Sequence, residues 1–264
     1  MELGLKERVA VVCAASQGLG KAAALALARE GANVVICGRD KRRIIAAAKE
    51  IRESTRDSSV TPVIADVSKP KDIKRLFART MRTYGRLDIL VTNAGGPPGG
   101  PFLELSDEQW DTGINLNLMS TIRCIREALP LMQKRGWGRI INITSLTVKQ
   151  PVNDLIISSA VRPGILGLSK ILANLYGKDG ITVNSVAPGF IMTGRQEQLS
   201  KTRAGKQGIS MEQYVHEASK QIPAGRFGTP QELADMIAFL ASERASYVNG
   251  ATISVDGGLI KGLF

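Results

Sequence analysis

The 264-residue sequence has one histidine, His216, and three cysteines, Cys13, Cys37 and Cys124. One histidine cannot build a His-rich metal centre, and three cysteines without a CxxC pair outline neither a zinc site nor a disulfide framework. No metal is expected, and each cysteine reads as a small buried hydrophobe. Chemistry must then run on hydroxyls, amides, amines or a cofactor. No apolar run approaches the ~20 residues that a membrane helix needs. Glu2, Lys6, Glu7 and Arg8 precede a short apolar stretch that is neither a signal peptide nor a transit peptide, so a cytoplasmic chain with no membrane partner is expected. Acidic residues are also short: 24 against 35 basic ones, a net charge of +11. That surplus points to an anionic ligand or a nucleic acid. Its densest run, Lys71, Arg75, Arg79, Arg82 and Arg86, makes one helical stripe opposite the apolar Ile73, Leu76, Phe77, Met81 and Tyr84. Such a stripe is the ordinary solvated face of a helix. A nucleic-acid groove is the alternative, though no zinc finger, RNP-type aromatic motif or basic zipper accompanies it.

What is present is alternation. Candidate strands are Val9 to Ala14, Asn33 to Cys37, Val60 to Ala65, Asp88 to Thr92, Arg139 to Thr144, Thr182 to Val186 and Thr252 to Val255. Helical periodicity fills 19–30, 40–54, 70–84, 107–134, 154–177 and 230–241 between them. Strand then helix, repeated with short connections, predicts a single α/β domain over 1–264: a doubly wound Rossmann-type parallel sheet with helices on both faces. Two stretches lack a pattern, Gly95 to Pro101 and roughly Thr193 to Pro223. Both follow strands at their carboxyl ends, and the second reads as a substrate-loop insertion.

After the first strand comes Cys13-Ala14-Ala15-Ser16-Gln17-Gly18-Leu19-Gly20, leading directly into a helix. Small residues there let backbone N–H groups approach a pyrophosphate at a helix N-terminus, where the dipole favours anions. The second strand ends Ile36-Cys37-Gly38-Arg39, without the acidic residue that would hold a ribose 2′-hydroxyl. Arg39 stands where a 2′-phosphate would pair with it, which favours NADP(H) over NAD(H).

The turn resembles the TGxxxGxG signature of the short-chain dehydrogenase/reductase family, and collinear matches run along the whole chain. Asp66-Val67 resembles the family's adenine-contacting pair, and Thr92-Asn93-Ala94-Gly95 its NNAG segment. Trp110 followed by Asn117 is similar to the helix that carries the active-site Asn. The segment Arg139 to Ser145 resembles the strand ending in the active-site Ser. Pro188, Gly189, Ile191 and Thr193 resemble the segment that grips the nicotinamide carboxamide. Gly225-Arg226-Phe227-Gly228-Thr229-Pro230 and Val255 to Gly258 resemble segments that close the domain and its subunit contacts. The resemblance leans toward the β-ketoacyl-acyl-carrier-protein reductase branch. It implies a cofactor site of Ala14, Ser16, Gln17, Gly18, Leu19, Gly20, Arg39, Asp66, Val67, Asn93, Ala94, Gly95 and the Pro188 to Thr193 residues. It also implies a homo-oligomer, dimer or tetramer, paired through the helices at 107–134 and 154–177.

Two departures stand out. The family's first glycine is Ala14, whose methyl is tolerated if φ stays negative but narrows the space beside the pyrophosphate. The catalytic Tyr and Lys positions, counted from Ser145, fall on Ser158 and Arg162. Serine is a far weaker acid than tyrosine, and a guanidinium keeps its proton. Pro163 also disfavours helical geometry at Arg162, so a helix beginning near Ser159 would leave Ser158 in a loop. Tyr214, Tyr176 and Lys149 are substitute acids to weigh.

Three readings follow. In the first, the chain is an oxidoreductase transferring hydride between a nicotinamide and a carbonyl or alcohol, 3-oxoacyl-like and mostly apolar. Ser145 would then bond the substrate oxygen, Asn117 hold a water, Ser158 relay protons, and Arg162 hold ribose hydroxyls and stabilise developing charge. In the second, it is an NADP(H)-binding sensor or scaffold protein with impaired catalysis. In the third, it binds nucleic acid through the basic stripe.

Overall fold

The computed structural model describes residues 2–55 and 58–263; Met1, Arg56, Asp57 and Phe264 of the expected domain lie outside the described residues. Seven strands form one sheet: β1 (Val9–Val12), β2 (Asn33–Gly38), β3 (Val60–Ile64), β4 (Ile89–Thr92), β5 (Gly138–Ile143), β6 (Ile181–Pro188) and β7 (Thr252–Val255). All pair in parallel in the order β3-β2-β1-β4-β5-β6-β7. The helices are α1 (Gly18–Arg29), α2 (Lys41–Glu53), α3 (Pro70–Tyr84), α4 (Asp107–Gly113), α5 (Ser120–Gln133), α6 (Ile156–Val161), α7 (Pro163–Tyr176), α8 (Gly194–Gln207), α9 (Met211–Ser219) and α10 (Pro230–Ala241).

The apolar strands β1, β4, β5 and β6 are buried along their whole length, as the interior of a parallel sheet requires, while the edge strands β3 and β7 are partly exposed. Side chains alternate across β1 and β2. Ala10, Val12, Val34 and Ile36 pack with α1, α2 and α10, whereas Val11, Cys13, Val35 and Cys37 pack with α3, α5 and α7. β1 pairs with both β2 and β4, so the strand order reverses there, and the crevice beyond the carboxyl ends at that point is where such sheets bind ligands.

Several expected elements change in detail. The helix expected over 107–134 is three pieces, α4, a π-helical turn over Ile114–Met119, and α5. The helix expected over 154–177 breaks at Arg162, because Pro163 cannot donate and so starts α7 as its first residue. The stretch expected to be irregular from 193 to 223 contains α8 and α9. Thr193 and Ser210 cap their N-termini, accepting from the Gln196 and Gln213 backbone N–H groups. α8 is mostly polar and α9 spans only nine residues, so neither carries a sustained apolar period in the sequence.

The basic stripe also shortens. α3 ends at Tyr84 on the left-handed Gly85, and Arg86 turns inward to bond the buried Asp88 carboxylate through both Nε and Nη2 at 2.8 Å. Arg75 is held by Asp72 and the Ile64 carbonyl. The helical run Ile156–Asp179, 24 residues, matches a membrane helix by length and composition alone. It packs against β6 and is kinked at the buried Arg162.

Candidate active site

A cavity of about 410 Å³ opens at the carboxyl ends of the central strands. Of the residues expected from sequence, Ala14, Ser16, Gln17, Gly18, Leu19, Arg39, Asp66, Val67, Asn93, Ala94, Gly95, Ser145, Ser158, Arg162, Pro188, Gly189, Ile191 and Thr193 line it. Gly20 and Asn117 do not, and both support the wall from behind.

The phosphate turn is built from α1. Gln17 caps the helix with extended backbone and no side-chain bond, and no acidic residue stands in the first turn. The leading N–H groups are therefore free for an anion. A Cβ on Gly20 would meet the Ala14 carbonyl oxygen at 2.6 Å and Asn93 Nδ2 at 2.8 Å, so Gly20 is fixed by close backbone packing. Asn93 Nδ2 donates to that same carbonyl at 3.2 Å and holds the turn. Ala14 corrects an expectation: its φ is +46°, left-handed, where a methyl is strained. A free helix N-terminus lined by small residues fits the pyrophosphate of a dinucleotide.

At the other end Arg39 is exposed and, among the described residues, in no ion pair. Neighbouring Asp40 is otherwise engaged, its Oδ1 accepting from the Arg43 N–H at 3.0 Å as the cap of α2. That backbone bond holds the Asp40 carboxyl below its usual range. Asp66 accepts from the Ser68 N–H at 2.9 Å and hydroxyl at 2.7 Å, which orients its carboxylate.

The reacting end collects hydroxyls and one cation. Ser145 Oγ accepts from the Thr147 N–H at 3.2 Å, and Thr147 Oγ1 lies 2.9 Å from Ser158 Oγ. Ser158 stands in α6, not in a loop, and the Arg162 N–H donates to its carbonyl at 3.1 Å. That intact turn puts Ser158 and Arg162 on one face despite Pro163. Arg162 Nη1 donates to the Thr144 carbonyl at 3.0 Å and more weakly to Ile143 at 3.5 Å, while its Nε is buried without a partner. Among the described residues no carboxylate offsets the charge, and burial pulls the guanidinium down to about 10. It remains cationic at neutral pH.

Asn117 sits in the π-helical turn and donates from Nδ2 to the Gly95 carbonyl at 2.9 Å, leaving Oδ1 buried and unpartnered. It positions the Gly95 loop instead of facing the cavity. Sequence reasoning missed Thr147, Arg195, Leu199 and Arg203, all except Thr147 on the cavity wall. Thr147 was findable as a hydroxyl two residues after Ser145; the others lie on α8, which was not recognised as a helix. Tyr214 stands on α9 and accepts from Arg203 Nη1 at 3.2 Å, outside the cavity lining, and neither Tyr176 nor Lys149 lines it.

A doubly wound sheet with a free helix N-terminus at its switch point defines a dinucleotide-binding protein of the Rossmann type. Residues 13–260 match the family model described as Enoyl-(Acyl carrier protein) reductase. The chain is 36% identical over 260 residues to D-beta-hydroxybutyrate dehydrogenase of Rhizobium meliloti, covering 95% of this chain and 98% of that one. It is 34% identical over 256 residues to 3-oxoacyl-[acyl-carrier-protein] reductase of Thermotoga maritima, covering 97% and 99%. The solved structure of L-sorbose reductase from Gluconobacter frateurii, complexed with NADPH and L-sorbose, superposes with a TM-score of 0.95 at 34% identity over 100% of both chains. The chain belongs to the short-chain dehydrogenase/reductase family. It is an NAD(P)-dependent oxidoreductase that moves hydride between a nicotinamide and a carbonyl or alcohol carbon.

Proposed function

We propose that this chain is an NADP(H)-preferring reductase of small carbonyl compounds that works without a tyrosine acid, on the combined action of Ser145, Thr147, Ser158 and Arg162. The observation that carries this reading is the buried Arg162 guanidinium, bonded to the carbonyl of the residue immediately before Ser145. The cofactor supplies the hydride; the protein orients the acceptor and stabilises charge on its oxygen. Ser145 Oγ accepts from Thr147 and so keeps its own O–H to donate to a substrate oxygen. Arg162 places positive charge where that oxygen becomes anionic. The Thr147 and Ser158 hydroxyls pass a proton between the cavity and the product oxygen, with water as the source, since neither hydroxyl is a strong acid.

Leu146, Leu155, Phe190 and Leu199 wall the acceptor end and suit a substrate with an apolar body. Helices α8 and α9 form the substrate-covering element. Arg39 holds the 2′-phosphate, and a free Arg39 beside an occupied Asp40 supports NADP(H) over NAD(H). Ile171 at 59% and Leu175 at 54% exposure leave an apolar face on α7 that suits self-association in the cytoplasm as a dimer or tetramer. Elution as a monomer from size-exclusion chromatography contradicts that last point. The experiment for the reading as a whole is titration of NADPH and NADH, then turnover against ketones, aldehydes and acyl thioesters. NADPH binding tighter than NADH, with measurable turnover, is expected. Tighter NADH binding overturns the cofactor assignment, and absence of turnover overturns the catalytic one.

A further inference from the structure

Arg162 is 7% exposed, yet among the described residues it has no carboxylate partner. Among the described residues only Nη1 is committed, to two backbone carbonyls; Nε is buried and without a partner, and Nη2 donates to no group there. A buried, unpaired charge is costly, and such charges ordinarily meet a counter-charge. None is supplied by the cavity wall. The one carboxylate lining it, Asp66, is at the adenosine end, and Asp154 is taken by Arg203 through two 2.8 Å bonds. Arg195, exposed beside Gly96, adds a further cation to the cavity wall.

We propose that Arg162 makes the acceptor end of the cavity a carboxylate site, so that the carbonyl substrate is an oxo acid whose carboxylate lies one or two carbons from the reacting carbonyl. The placement follows from one contact and the order of the chain. Nη1 is tied to Thr144, and Ser145 is the next residue, so an acceptor oxygen on the Ser145 hydroxyl has the guanidinium beside it. A carboxylate adjacent to that carbonyl falls within reach of the uncommitted Nη2. The apolar wall then contacts the rest of the acid. This class deepens the proposed reductase function and rests on it for the reaction. Hydride adds to the carbonyl carbon, the carbonyl π pair becomes the alkoxide, and a proton from water completes the hydroxy acid, while the carboxylate is unchanged.

The test uses protein saturated with NADP⁺, which cannot reduce a carbonyl, and calorimetric titration with acetoacetate, 3-methyl-2-oxobutanoate and 4-methyl-2-oxopentanoate, each against its methyl ester. At least one acid binds tenfold or more tightly than its ester. In Arg162→Gln that ratio falls below two, and affinity for the acid falls by a larger factor than affinity for NADP⁺. Ratios near one for all three acids overturn the proposal. So does a ratio that survives Arg162→Gln, or a variant whose whole loss is in NADP⁺ affinity, which assigns Arg162 to the cofactor. Because Arg162→Gln removes a buried bond and risks misfolding, wild-type protein is also treated with phenylglyoxal and mapped by peptide mass. The acid and not the ester slows modification of Arg162; equal modification with both overturns the assignment. Since binding is read without turnover, a chain that binds oxo acids but transfers no hydride refutes the reductase reading alone. A chain that reduces only esters refutes this one alone.

Discussion

Ala14 and Glu7 are the non-glycine residues at positive φ among the described residues, and replacing Ala14, which lines the cavity, relieves backbone strain there. Its φ of +46° puts a Cβ into the left-handed region, which disfavours an L residue by ~1–2 kcal/mol. Ala14→Gly removes that cost and adds the extra freedom of glycine to the unfolded chain, about 0.4–1 kcal/mol in the opposite direction. The net is stabilisation of about 0.5–1 kcal/mol, read as a rise of roughly 1–4 °C in Tm for a domain of this size. The strain is present with or without cofactor and cancels from affinity. What changes on binding is the space the methyl takes beside the pyrophosphate, so NADPH binds more tightly in the glycine variant. Ala14→Val, β-branched at positive φ, goes the other way and loses at least ~1 kcal/mol. Differential scanning calorimetry and NADPH titration on the three proteins decide the matter. A stability order with alanine above glycine refutes the left-handed assignment.

Arg39→Ala removes charge-assisted bonds of ~1.5–3 kcal/mol to a phosphate, so the NADPH dissociation constant rises about 10- to 150-fold while that of NADH is unchanged; fluorescence titration checks both. Glu232, held by two bonds from Arg226 and one from the Thr229 N–H, has its carboxyl drawn down to about 2 from 4.5. Its folded pKa is the lower one, so its stabilising contribution is full above pH 4.5 and is lost as pH falls toward 2. Glu232→Gln therefore flattens acid unfolding in that window, as urea titrations at stepped pH would measure. Breaking the partly exposed Arg203–Asp154 pair at the cavity rim by Asp154→Asn costs about 1 kcal/mol in a double-mutant cycle and raises KM through looser docking of α8.

The parallel sheet was legible because its strands read as short apolar runs between helical stretches, and because Gly18 and Gly20 punctuate the first of them; the order of the strands came only from the structure. The phosphate turn was legible for the same reason. α8 and α9 were not: α8 is mostly polar, α9 is only nine residues long, and both are fixed by the caps at Thr193 and Ser210. Arg86 was read as surface because its partner, Asp88, becomes buried only when β4 enters the sheet. The conformation of Ala14 was likewise out of reach, since residue type argues for negative φ and only the surrounding fold imposes the turn. At the catalytic end the substituted positions Ser158 and Arg162 were found by counting. Their common face, the role of Thr147 as the link to Ser145, and the solitary burial of Arg162 needed three dimensions.

The most direct test of the account is a single-turnover reaction of the purified chain with NADPH deuterated at the transferring C4 position, across the ketone and oxo-acid panel, with the product analysed by mass spectrometry. The account predicts deuterium on the carbinol carbon with wild-type protein. It also predicts slowing by ~10²-fold or more in Ser145→Ala, and a faster transfer in Ser158→Tyr/Arg162→Lys, where a general acid worth ~10²–10⁴ in rate is restored. Tight NADPH binding with no deuterated product from the wild type on any acceptor would contradict it.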